Sequence, residues 1–544
     1  MLSTLAVSVG LPFFAISATS PLLQAWYSRT QAEDADDPYF LYSTSNVGSL
    51  LALLGYPLLL ERVLTIQQQA NFWRWGFLGF ALLITVCGFI ARIGGVAKPN
   101  PTRQAPALSW TLRLRWLILA FIPSSLMLGV TNYITTDIAS FPLIWVVPLA
   151  IYLITFIFVF GKNGGRPPVI LGRVMSLIAM VALVALIVGT SYPHWLLVPL
   201  HLVVFTMAAF VCHGEMAATR PDASKLTEFY LIMSLGGVLG GSLNALVAPQ
   251  IFDALWEYPL MIIAACAVRP QSEEERSKPD NRWSKLVPAI VLVAGVAGFF
   301  VVKYTGTEID MTAAAMFVGP MALFGYSQVE RPRRFALGMA ALLFAGTLFG
   351  SASTPKLYQT RDFFGVMSVT EVDETYRVLA HGNTIHGSVF IDRNETECLP
   401  LTYYHPNGPL GSIFEGLRQI HPRLEVGIIG LGAGSQACYA DATDVFTYYE
   451  ISPTIIEIAR DLGYFKLLAL SKAMDIHYRV GDARVKLLED ADASYQLLVL
   501  DAFSSDSIPT HLLTIEAVEL YLNRLGPDGV IAAHISNRFL RLEP

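Results

Sequence analysis

Long apolar runs recur through the first 350 or so residues, broken only by short polar stretches, and near Thr354 they give way to shorter alternating segments. A membrane-spanning helix needs about 20 mostly apolar residues. The runs 5–26, 44–61, 74–92, 115–136, 142–160, 169–189, 193–213, 228–250, 257–268, 285–303, 311–327 and 334–351 therefore predict about 12 spans, of which 257–268 is the shortest. LGGVLGGSLNALVAP (Leu235–Pro249) places small residues at near-helical spacing, which lets helices approach closely; a substrate path is the alternative reading. Asp137 and Glu215 fall near span ends, where snorkelling or capping is expected.

Beyond Thr354 the period changes. Phe363 to Asp392 alternates in short β-rich runs broken by DE and HGN, which predicts a small antiparallel sheet. LTYYHPNGPLGSIFEGLRQI reads as a loop entering a helix. EVGIIG, VFTYYE, IHYRVGD, YQLLVLD and GVIAAHIS then read as strands, separated by a helix after the glycines, PTIIEIARDLG and LLTIEAVELYLNRLG. Apolar strands alternating with amphipathic helices imply a parallel sheet covered on both faces. The expected fold is an α-helical polytopic membrane bundle followed by an α/β domain with a small N-terminal β-sheet. The expected boundaries are 1–352 for the membrane region, 353–405 for the β-rich region and 406–544 for a nucleoside-binding domain.

Composition agrees with this division. The chain is 53% hydrophobic, with a mean hydropathy of +0.50, and 15% charged, against roughly 25% for soluble domains. Its net charge of -6, without a basic stripe, gives no sign of nucleic acid as a partner. Cys87, Cys212, Cys266, Cys398 and Cys438 are scattered without a CxxC pair, so a disulfide-free chain with no zinc site is expected. Basic residues gather in the loops 93–113, 161–168, 214–226, 268–285 and 328–334, which are alternate loops and hence cytoplasmic. The same count puts the soluble domain on the opposite face, awkward for a cytosolic cofactor, and one miscounted span reverses it.

In an open parallel sheet, ligands sit at the C-terminal ends of the strands. Those positions hold Gly430, Gly432 and Gly434 after the first strand, then Glu450, Asp482, Asp501 and His534. The glycines let backbone approach a ligand, although a plain tight turn has the same spacing. Glu450 lies about 20 residues on, where an acid accepts both ribose hydroxyls. Asp482 could accept from an adenine amine. Position 435 is serine, so GxGxxG is absent and an adenosyl-sulfonium is favoured over a dinucleotide. For His405 and His534 a structural hydrogen bond competes with a functional role; His381 and His386 read as surface residues beside a hairpin turn. No HExxH or clustered ligand set indicates a metal.

At these residues the chain resembles the spermidine synthase family of polyamine aminopropyltransferases, within the class I S-adenosylmethionine-dependent methyltransferase fold (Rossmann-like), over about residues 363–544. As a whole it looks like bacterial membrane proteins in which a multi-span, transporter-like region is fused to such a domain; PFFAISATSPLLQAWY, DPYFLYSTSNVGSLLALLGYPLLLE and SLGGVLGGSLNALVAP carry that likeness. The resemblance implies that GLGAGS is the glycine loop, Glu450 the ribose-binding acid and Asp482 the adenine-side acid. In DAFSSD it implies Asp501 as the catalytic aspartate and Asp506 as an amine-binding one, with Tyr404 and His405 as the pair before the glycine loop. The family's loop carboxylate is missing from GLGAGS, Ala502 and Phe503 are extra in DAFSSD, and Pro406 stands where a glutamate is expected. The chain stops at RLEP before further family strands, so a C-terminally incomplete domain is expected.

The activity so implied is aminopropyl transfer, or a related reaction, from decarboxylated S-adenosylmethionine or S-adenosylmethionine to a small amine or polyamine, with no metal. Asp501 would act as base and Tyr404 would help hold the amine, while Asp506 attracts a second ammonium and Phe503 walls the cleft or packs the core. A transporter of polyamines or small amines, with a sensing or catalytically degenerate nucleoside-binding domain, is the rival reading. The expected location is the bacterial inner membrane, multi-pass and in contact with lipid, with the side of the soluble domain left open and a homodimer as one option.

Overall fold

The structure is a computed structural model that describes residues 2–93, 108–138, 143–190, 193–305, 311–353, 356–382, 384–492, 494–502 and 509–534. Two compact units make up the chain: one of residues 1–132, 142–245 and 256–349, the other of 133–141, 246–255 and 350–544.

The first unit is helical. Among the described residues, seven helices are long and apolar enough to cross a membrane: Phe40–Val63, Ile66–Arg92, Trp110–Ile138, Val169–Val188, His194–Ala218, Ala223–Ile251 and Arg282–Thr305. Val146–Phe160, Glu257–Val268 and Ala314–Tyr326 are shorter apolar helices. The small residues of LGGVLGGS serve close packing: a Cβ at Gly240 would lie 2.5 Å from the Phe121 carbonyl oxygen. Ser124 Oγ donates to Gly237 O across the same contact, at 2.8 Å. Glu215 does not snorkel as expected. It is fully buried, with Arg115 and Arg166 each 2.7 Å away, because a carboxylate inside a helical unit needs paired cations.

The second unit carries two sheets. β1 (Lys356–Asp362), β2 (Gly365–Val372), β3 (Tyr376–His381) and β4 (Thr384–Phe390) form an antiparallel meander. The predicted DE turn is real, with Asp373 and Glu374 both at positive φ, the conformation that joins tightly paired strands. β5 (Glu425–Ile429), β6 (Val445–Glu450), β7 (Asp475–Val480), β8 (Tyr495–Leu500) and β9 (Leu525–Ala533) form an all-parallel sheet in the order β7-β6-β5-β8-β9. The chain winds outward from β5 to β7 and then returns to the far side of β5, so the winding reverses between β5 and β8, where a crevice opens at the strand ends.

Alternate residues of the central strands feed two cores. Val426, Ile428, Phe446, Tyr448, Leu497 and Val499 pack on one face with Phe414 and Leu417 of the helix Pro409–Ile420. Ile429, Tyr449, Leu498 and Leu500 pack on the other with Ala517, Leu520 and Tyr521 of the helix Ile515–Arg524. The helix expected after the glycines is only a 3-10 segment, Ser435–Tyr439. The cysteine expectation is also corrected, since Cys398 and Cys438 form a disulfide with their Cα atoms 5.2 Å apart. Their separation of 40 residues hid the pair in sequence, and closing such a loop restricts the unfolded chain by about 4 kcal/mol in the loop-entropy account.

Phe446 is fully buried between Phe414 and the sheet. Phe446→Ala is expected to cost about 3–5 kcal/mol, read as a lower unfolding midpoint of the sheet-bearing unit in the whole chain; an unchanged midpoint would remove it from the core.

Candidate functional site

Three backbone crossings build the crevice. Gly430 N donates to Tyr449 O, Asp501 N to Ile429 O and Gly481 N to Glu450 O, each at 2.9 Å, which holds the ends of β5, β6, β7 and β8 in one plane. The glycine loop leaves β5 with Gly430 at φ +100 and Gly432 at φ +54. A Cβ at Gly430 would meet Asp501 O at 2.5 Å, and one at Gly432 would meet His386 O at 2.5 Å. Neither position tolerates a side chain, on conformation or on space. Ala433 N also donates to His386 O at 3.1 Å, tying the loop to β4.

The resulting cleft has a volume of about 310 Å³, within the usual range for small-molecule sites. Its walls include Gly430, Gly432, Glu450, Asp482 and Asp501, five of the residues expected from sequence. Gly434 stands at φ +82 behind the loop against Leu468 and does not line the cleft.

Glu450 is buried and accepts from Leu431 N at 3.0 Å and Ser452 N at 2.9 Å. Burial raises its carboxyl above the ordinary glutamate range; the backbone donors act in the opposite direction without cancelling it. Asp482 caps the short helix Ala483–Leu487 through a bond from Val485 N at 3.1 Å, and its other oxygen lies 2.8 Å from His511 Nε2. It lines the cleft with both oxygens already engaged.

Asp501 is the most tightly held acid. Gln436 Nε2 donates to its Oδ2 at 2.6 Å, the Tyr404 hydroxyl donates to the same oxygen, and His534 Nδ1 donates to Oδ1 at 2.8 Å. A carboxylate offers about four acceptor positions, so roughly one remains for a ligand. Burial, with the Asp501 charge beside it, pushes the Tyr404 hydroxyl well above its ordinary pKa, so it stays a donor. Tyr439 Oη donates to Tyr404 O at 2.5 Å, and the disulfide joins Cys398, six residues before Tyr404, to Cys438, two residues after Gln436. Both arms that grip Asp501 Oδ2 are thereby tied together.

The other expected residues fall elsewhere. His405 is exposed, its Nδ1 accepting from Asn407 N at 3.2 Å, and does not line the cleft. Asp506 and Phe503 lie outside the described residues. His381 and His386 are not surface residues: both are half-buried and line the cleft, because β4 lies against the glycine loop through the His386 carbonyl. Burial lowers the His381 pKa, which keeps the imidazole neutral. Sequence reading missed Gln436 and His511, which carry no motif, and undervalued His534, whose place at the end of the last strand was the available sign. Among the described residues, no group of three or more His, Cys, Asp or Glu side chains is arranged to hold a metal ion.

No family profile and no curated protein matches the chain. Among solved structures it is similar to the crystal structure of a probable spermidine synthase from Corynebacterium glutamicum ATCC 13032, with 18% identity and a TM-score of 0.26. That similarity covers 33% of this chain, and the matched part spans 62% of the length of the other.

In the ribose-binding role expected of it, Glu450 would have to be ionised to accept two hydroxyls, and its elevated pKa would bring the loss of that ability to higher pH. Affinity for methylthioadenosine is therefore expected to fall as pH drops from about 8 towards about 5, measured by calorimetry, and Glu450→Gln is expected to bind weakly and flatly over that range. A wild-type affinity that rises towards acid pH would contradict the assignment.

Proposed function

We propose that the sheet-bearing unit is an aminopropyltransferase-like enzyme that binds an adenosyl-sulfonium donor, decarboxylated S-adenosylmethionine or S-adenosylmethionine, and transfers an alkyl group to a small amine or polyamine. The observation that carries this reading is the convergence of the glycine loop with Glu450, Asp482 and Asp501 on one cleft at the reversal point of the sheet. Glu450 takes the ribose hydroxyls and Asp482 faces the base. The acidic lining suits a cationic sulfur, and the neutral His381 adds no opposing charge.

The nitrogen lone pair of the amine attacks the methylene carbon next to the sulfonium. A C–N bond forms and the C–S bond breaks, its electron pair passing to sulfur, so a neutral thioether departs. The new ammonium loses a proton to Asp501. Amines are mostly protonated near neutral pH, so a fixed carboxylate that orients the free base contributes both position and proton acceptance. Tyr404 and Gln436 hold Asp501 Oδ2 and leave the remaining acceptor position to the amine. Calorimetry with decarboxylated S-adenosylmethionine, S-adenosylmethionine and methylthioadenosine tests donor binding, and product analysis with putrescine, agmatine and spermidine tests transfer. Asp501→Asn is expected to reduce thioether release roughly 100- to 10,000-fold with donor affinity retained; equal release by both proteins would sink the role given to Asp501.

We further infer that this unit faces the non-cytoplasmic side of a bacterial inner membrane. The loop 252–256 is separated from the short loop 219–222, with Arg220 in it and Lys225 just beyond, by one helix, Ala223–Ile251, which is long and apolar enough to span. Basic loops stay cytoplasmic, so 252–256 lies on the other face. Gln359 Nε2 and Arg361 Nη1 of β1 donate to Asp253 O and Ala254 O within their unit, at 3.1 and 2.8 Å. Disulfides persist in oxidising compartments, and Cys398–Cys438 belongs to this unit. A donor made in the cytoplasm would then have to cross the membrane to reach the cleft. In a Cys87→Ser background, Ser494→Cys is expected to react with a membrane-impermeant maleimide in intact cells with the outer membrane permeabilised. Protection until the inner membrane is lysed would place the unit on the cytoplasmic side.

A further inference from the structure

The helical unit holds a cavity of about 690 Å³ where the start of the helix Trp110–Tyr133, the end of Glu257–Val268 and the start of Pro332–Ser353 come together. Six arginines line it, Arg115, Arg269, Arg276, Arg331, Arg333 and Arg334, and no acidic side chain does. Four of the six are held by groups outside the lining. Arg115 pairs with Glu215 at 2.7 Å, Arg334 with Asp280 at 2.5 Å and Arg269 with Glu275 at 2.9 Å, while Arg331 donates to Lys278 O at 2.5 Å.

Arg276 and Arg333 are different. Both are exposed, and neither has an acidic partner among the described residues. Arg269 adds a third unmet demand, since its Nε is buried without a hydrogen-bond acceptor. Water screens these exposed charges only in part, so an anion that bridges them is favoured, and a guanidinium presents a planar fork suited to phosphate oxygens. Leu114 and Ile118 form an apolar wall of the same cavity. Exposed Trp110 beside it, with Arg113 stacked 4.7 Å over its ring, has the character of a membrane-interface residue.

We propose that this cavity binds a phosphate group, the headgroup of an anionic phospholipid or a free phosphate ester, between Arg276 and Arg333, with Arg269 as the inner donor. Such basic recesses between helices on the cytoplasmic side suit anionic headgroups, and the Leu114–Ile118 wall offers an acyl chain a surface to follow. The inference is independent of the chemistry in the other unit.

The test is the thermal stability of the whole chain in neutral detergent, titrated separately with phosphatidylglycerol, phosphatidylcholine, glycerol 3-phosphate and inorganic phosphate. Wild type is expected to be stabilised by phosphatidylglycerol and not by phosphatidylcholine. The double variant Arg276→Gln/Arg333→Gln, at exposed positions whose loss leaves the internal ion pairs intact, is expected to need roughly tenfold or more ligand for the same shift, as for the loss of charge-assisted hydrogen bonds. A control pair, Lys225→Gln/Arg282→Gln, removes one half-buried and one exposed cation outside the lining and is expected to behave as wild type. A variant-sensitive shift with the lipid alone assigns a headgroup; one that glycerol 3-phosphate or inorganic phosphate reproduces assigns a soluble phosphate. Equal shifts in wild type and the double variant, or no shift with any phosphate, would overturn the site.

Discussion

The C-terminal end of β8 is the constraint on which the sheet-bearing unit depends. Asp501 N closes the sheet onto Ile429 O, its carbonyl lies where any side chain at position 430 would have to go, and its carboxylate is gripped from both flanks. Removing one gripping donor would leave a buried carboxylate less compensated, and an unpaired buried charge is costly. The residue assigned to chemistry is thus also the point at which backbone, glycine loop and both arms meet. Its geometry is set before any ligand arrives, and such fixed placement of a reacting group is what lowers a barrier dominated by orientation.

The disulfide extends that rigidity. Tyr404 and Gln436 reach Asp501 from two short 3-10 segments, Thr402–Tyr404 and Ser435–Tyr439, neither of which is a stiff element. Cys398–Cys438 and the Tyr439–Tyr404 hydrogen bond join the two segments directly. A restraint next to weak secondary structure limits the local opening that loops otherwise undergo. The five-stranded sheet needs no such aid, because its central strands are buried on both faces.

That double burial is also why the strands could be read from the sequence. VFTYYE and YQLLVL are mostly apolar or aromatic and almost wholly buried, and a run buried on both faces needs no alternation. The glycines and acids at strand ends followed from the same pattern, and Glu450, Asp482 and Asp501 do reach one cleft. What stayed hidden depends on contacts between distant segments. The helix after the glycines shrinks to one 3-10 turn because Gly434 is left-handed and Cys438 is tethered to residue 398. His381 and His386 looked like surface residues because a hairpin does not show in its own sequence which element it will fold onto. Gln436 has no motif, and its role exists only because Asp501 arrives from 65 residues away.

Charge is scarce in this chain, and where it is concentrated it is imbalanced within a single recess. The cleft of the sheet-bearing unit gathers carboxylates, and the cavity of the helical unit gathers guanidinium groups. Evolution toward solubility alone would scatter such groups over exposed faces, where water screens them at little cost. Gathering groups of one sign in a recess instead favours an occupant of the opposite sign, most strongly where they are buried, as Glu450 and Asp501 are, and less where they are open to solvent, as Arg276 and Arg333 are. A cationic sulfur nucleoside meets that condition in the first recess and a phosphate in the second. A neutral isostere of either proposed occupant would gain the same contact area without offsetting the excess charge, so charge rather than area would set the selectivity.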